Sequence, residues 1–66
     1  MNIAEVAKKV AAIISHIHDD EVAHILEDDL HVEVLEAIAE GRCADPAGCA
    51  HEALKTLGLT FSRWYA

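Results

Sequence analysis

Residues 19–40 read DDEVAHILEDDLHVEVLEAIAE and hold nine of the chain's twelve acidic residues, without a lysine or arginine among them. Whether this stretch is one helix or two decides the fold. On a single helix Val22, Ile25 and Leu26 cluster on one side, whereas Leu30, Val34, Leu35 and Ile38 point about a third of a turn away. That rotation predicts a break at Glu27-Asp28-Asp29, with Asp28 as a cap. A short second helix would then be followed by a third, from about residue 29 to residue 40.

The flanking segments are plainer. Asn2 and Glu5 have capping-box spacing, and Ile3, Val6, Ala7, Val10, Ile13, Ile14 and Ile17 repeat every three or four residues. They predict a first helix from about residue 3 to residue 16, with Glu5, Lys8, Lys9 and Ser15 on its far side. Asp19 or Asp20 then caps the next helix, whose positive end the neighbouring carboxylates favour. Gly41 tolerates the left-handed conformation that ends a helix, and Asp45-Pro46 is a cap followed by proline at the first helical position. Cys49, Ala50, Ala53, Leu54 and Leu57 form a last stripe, closed by a Schellman turn at Gly58 in which Leu59 packs back on Leu54. Thr60 would cap a final turn carrying Phe61, Trp64 and Tyr65. The expected fold is all-α: one domain, residues 1–66, of four short helices and a C-terminal turn.

A chain of 66 residues buries only about 60% of its unfolded surface. Many of its apolar residues are alanines, which favour close helix packing, completed if need be by a second copy. No apolar run approaches the ~20 residues of a membrane span, and the N-terminus has no signal-peptide pattern. The default location is the cytoplasm. A net charge of −7 disfavours direct binding to nucleic acid or to anionic membranes.

No chemical motif is complete. Of His16, His18, His24, His31 and His51, only His51-Glu52 opens the metalloprotease spacing, and position 55 is then Lys55. Cys43, Cys49 and His51 fall short of a four-ligand zinc site, so packed free thiols are the default and a disulfide the alternative. The acidic triplets at 19–21 and 27–29 lack the alternation and glycine of a calcium loop. The expectation is a non-enzymatic protein with no catalytic residues, metal or cofactor. Trp64 and Tyr65 either close the core or anchor a partner.

What remains is the acidic stripe Asp29, Glu33, Glu36 and Glu40, whose neighbours stand about 5–6 Å apart between Cβ atoms on a helix. Like charges at that spacing destabilise a helix, and no lysine is interleaved. Such a stripe points to a basic partner; plain solubility is the competing explanation. In size, charge and helical class the chain resembles the small acidic phage-type inhibitors that mimic DNA, among them anti-CRISPR proteins. The resemblance implies an inhibitor occupying the basic nucleic-acid-binding groove of a protein or complex. Asp29, Glu33, Glu36 and Glu40 would be the central contacts, and Asp19, Asp20 and Glu21 would extend them. The alternative is a structural or regulatory helical homodimer, with Val32, Trp64 and Tyr65 in its interface and the acids merely solvated.

Overall fold

The computed structural model describes residues 1–63. Three α-helices, α1 (Ile3–Ser15), α2 (Asp20–Ala39) and α3 (Pro46–Leu54), pack pairwise and are followed by a 3-10 turn, Lys55–Gly58. The described residues are all-helical and contain no strand. The molecule measures 33 × 22 × 15 Å. Every helix keeps one face in solvent.

Local chemistry sets most helix ends. The Asn2 side chain accepts the Glu5 N–H at 2.9 Å, Asp19 accepts that of Val22 at 3.2 Å, and Asp45 accepts that of Gly48 at 3.0 Å. Pro46 begins α3, where its missing N–H costs nothing. Gly41, at φ +70°, ends α2 in a Schellman arrangement: Arg42 N–H donates to the Ala37 carbonyl at 2.8 Å and Gly41 N–H to Ile38 at 3.2 Å. Met1 ties down the loop that follows, its amine donating to the Arg42 carbonyl at 2.7 Å while its own carbonyl accepts from Ala44 at 2.9 Å.

The break expected at Glu27-Asp28-Asp29 is absent. The second and third of the four expected helices are one continuous helix of 20 residues, and Asp28 caps nothing. The buried stripe of α2 is Ala23, Glu27, Leu30, Val34 and Ala37, alternating intervals of four and three. Glu27 holds a core position in that stripe, so a search for apolar residues alone loses the face there and finds a false rotation. With Glu27 included, the stripe runs straight and meets Val6, Val10 and Ile13 of α1 and Cys49 and Ala53 of α3. Of the apolar residues expected to face inward, Ile3, Ile14, Ile25, Leu35, Leu54 and Leu57 are exposed.

The chain's end also differs from expectation. The α-helix stops at Leu54 and tightens into the 3-10 turn, which buries Thr56. Gly58 does not adopt positive φ, so the Schellman turn expected there is not formed. Phe61, Ser62 and Arg63 are not helical, so no final turn starts in this stretch. Trp64 and Tyr65 lie outside the described residues.

Candidate binding surface

The acids expected to form one surface meet different fates. Asp19 is used as the cap of α2, and the carboxylate of Asp20 accepts the Ser62 N–H at 3.1 Å. Glu33 pairs with Lys9 of α1 at 3.1 Å, and Glu40 with Arg42 at 2.6 Å. The counterions missing from the local sequence thus come from a neighbouring helix and from the following loop. Both pairs are about half exposed, a setting in which such pairs contribute roughly 0–1 kcal/mol, so an external partner could displace them cheaply. Glu21, Asp29 and Glu36 are exposed and have no cation partner among the described residues. Asp28, outside the expected stripe, is exposed and lies 3.3 Å from His24 Nε2. The structure therefore keeps an acidic face on α2, with Asp29 and Glu36 as the least compensated members of the expected stripe.

Glu27, also in the middle segment, belongs to the core. It is 3% exposed, and Arg63 binds it through two nitrogens, Nε to Oε1 at 2.7 Å and Nη2 to Oε2 at 3.1 Å. Arg63 also donates to the carbonyls of Thr56 at 2.6 Å and Leu59 at 3.2 Å, and stacks 4.0 Å over the ring of Phe61. Burial works against ionisation of Glu27. The Arg63 and Thr56 hydrogen bonds, with the charges of Arg63 and His31, outweigh it and hold the carboxyl below the ordinary glutamate range. The Thr56 hydroxyl lies 3.1 Å from the Ala53 carbonyl and 2.9 Å from His31 Nε2. This network fastens the segment after the 3-10 turn to the middle of α2.

Beside the acids lie apolar side chains without cover. Ile25, Val32 and Leu35 of α2 are 52%, 54% and 67% exposed, and Leu54 of α3 is 54% exposed. Leu35 and Leu54 border a groove of about 250 Å³ between α2 and α3, completed by His31, Val34, Ile38, Ala50 and Ala53. Its volume is below the roughly 300–1,000 Å³ of ordinary ligand pockets, and its one polar residue, His31, is engaged with Thr56. The groove suits a protruding apolar side chain better than a polar small molecule. Val32 was identifiable in sequence as an apolar residue beside the acids; Leu35 and Leu54 were not, because both fit the expected inward stripes.

The cysteines are free, Cys43 half-buried and Cys49 buried. A hydrogen bond with the Cys43 thiol, together with burial, raises the pKa of Cys49. Among the described residues no group of three or more His, Cys, Asp or Glu side chains is placed to hold a metal ion, and no helix is long and apolar enough to cross a membrane.

Comparison of the chain with protein families, curated proteins and solved structures finds no match.

Proposed function

We propose that this chain is a non-catalytic binding protein that presents the acidic face of α2 to a basic, nucleic-acid-binding surface of a protein or complex, and so excludes the nucleic acid. The observation that carries this is the persistence of Asp29 and Glu36 as exposed acids, with no cation partner among the described residues, on a helix that contains no lysine or arginine. Glu33 and Glu40 would exchange Lys9 and Arg42 for cations of the partner, and Glu21 would extend the contact toward the start of the helix. Attraction of this kind speeds association and weakens steeply with salt. Its resemblance to DNA-mimicking inhibitors of phage type belongs to this proposal.

The test uses bacterial lysate passed over the immobilised protein at low and high salt. A nucleic-acid-binding complex should be retained at low salt and released at high salt. The Asp29→Lys/Glu36→Lys variant, which removes no member of an ion pair seen among the described residues, should fail to retain it. Equal retention by that variant, folded, would overturn the proposal.

A helical homodimer is favoured by a separate observation, the exposure of Ile25, Val32 and Leu35 on one helix. Sedimentation over a range of concentrations tests it: the dimer requires a mass that rises with concentration and a Val32→Ser variant that stays monomeric.

A further inference from the structure

The exposed apolar residues of α2 have a spacing of their own. Ile25, Val32 and Ala39 stand seven apart and Leu35 falls between the last two, all exposed and all opposite the buried stripe of Ala23, Glu27, Leu30, Val34 and Ala37. α2 therefore carries two seams of coiled-coil spacing, one spent on the core and one facing solvent. Asp28 takes the position of the outer seam between Ile25 and Val32, and Asp29 and Glu36 flank it. At its α3 side the seam opens, through Leu35, onto the groove bordered by Leu54.

We propose that this outer seam docks one amphipathic helix of the partner, with apolar side chains at heptad spacing and lysine or arginine beside them. The proposal rests on the reading of the protein as a binder of basic partners, and names the form the partner takes. Charge selects the occupant. A second copy of α2 laid antiparallel on this seam would bring Asp29 and Glu36 of the two copies together, one laid parallel would set Asp28 against its counterpart inside the seam, and residues 19–40 contain no lysine or arginine to relieve either. A basic helix instead places cations against those carboxylates, in the manner of flanking charges that choose coiled-coil partners. Its apolar face covers Val32 and Leu35, and one large side chain enters the groove between α2 and α3.

The experiment measures binding of two synthetic, dye-labelled peptides by fluorescence anisotropy. One is three heptads long, with leucine and isoleucine along the seam and lysine beside it. The other has the same composition with the periodicity scrambled. The periodic peptide should bind the protein about tenfold or more tightly than the scrambled one, since burying even one large apolar side chain is worth that factor. Val32→Ser/Leu35→Ser should abolish this preference, and circular dichroism should show the variant still helical because both side chains are exposed. Asp29→Lys/Glu36→Lys should weaken both peptides. Equal binding of the two peptides, unaffected by the serine variant but lost in the lysine variant, overturns the seam and leaves the acidic-face function standing. No binding of either peptide overturns the seam, while the lysate experiment judges the broader function separately. A dimer of the unmodified protein that the serine variant dissociates also overturns it, by assigning the seam to a second copy.

Discussion

Arg63 closes on the buried carboxylate of Glu27 through two hydrogen bonds, 2.7 and 3.1 Å, across 36 positions of sequence. This contact joins the end of the described chain to the centre of α2 and sets a charged pair beside buried Thr56 in a core otherwise built of Val, Ile, Leu, Ala and Cys. Its carboxylate is nearly inaccessible, whereas the Arg63 side chain keeps 30% of its exposure.

Removing one member should therefore cost more than a surface change. Arg63→Met leaves a buried, uncompensated carboxylate and should lower stability by about 3–5 kcal/mol. At roughly 0.05–0.15 kcal/mol per residue, that is much or all of the stability of a chain this small. Glu27→Leu/Arg63→Met, which removes both charges, should recover most of the loss. Urea denaturation of the variants measures both; a loss under 1 kcal/mol in Arg63→Met would show the pair to be peripheral.

The same pair sets an acid limit. Glu27 has a lowered pKa in the folded protein, so it binds its proton more readily when unfolded. Its contribution is complete above the unfolded value, about 4.3, and is lost as pH falls through the lower, folded value. Denaturation midpoints should thus decline below about pH 4–5, with a steeper slope than in Glu27→Gln. Parallel pH profiles for the two proteins would remove Glu27 as the cause.

Cys49 should resist modification. Its bond with the Cys43 thiol and its burial both disfavour the reactive thiolate, and it has no accessible surface. Iodoacetamide added to the native protein should label Cys43 first, with Cys49 reacting only on unfolding. Peptide mass spectrometry over time distinguishes this order from equal labelling.

Glu36 lies between Glu33 and Glu40 on α2 and has no cation partner among the described residues. Glu36→Lys turns two repulsions into attractions and should stabilise the protein by a few tenths of a kcal/mol, an effect that salt diminishes. Thermal melts at low and high salt measure it. Greater stability together with weaker partner binding would mark Glu36 as an acid kept for contact; unchanged binding would leave it to solubility.

Helix ends were readable because their causes are local. Asn2, Asp19, Asp45 and Gly41 satisfy backbone groups within three or four residues, so the chemistry of each end is contained in a short stretch. The acidic segment was readable as an accumulation of charge, and its exposed members Glu21, Asp29 and Glu36 stand on α2 as solvent-facing acids.

What residues 19–40 become was decided at long range. By local rules Glu27 interrupts an apolar stripe and invites a break; in the fold it completes the stripe, because Arg63 returns to neutralise it. Lys9 likewise reaches Glu33 from another helix, while Arg42 meets Glu40 from only two residues away, leaving Asp29 and Glu36 as the acids of the expected stripe with no cation partner among the described residues. The position of Leu35 and Leu54 on an open groove followed only from how α2 and α3 pack. Hydrogen bonds such as those of Asn2, Asp19, Asp45 and Gly41 span a few residues and were legible locally, whereas the cap expected at Asp28 and the turn expected at Gly58 did not form. Burial of a charge depends on its partner, and that partner is adjacent only after the chain has folded.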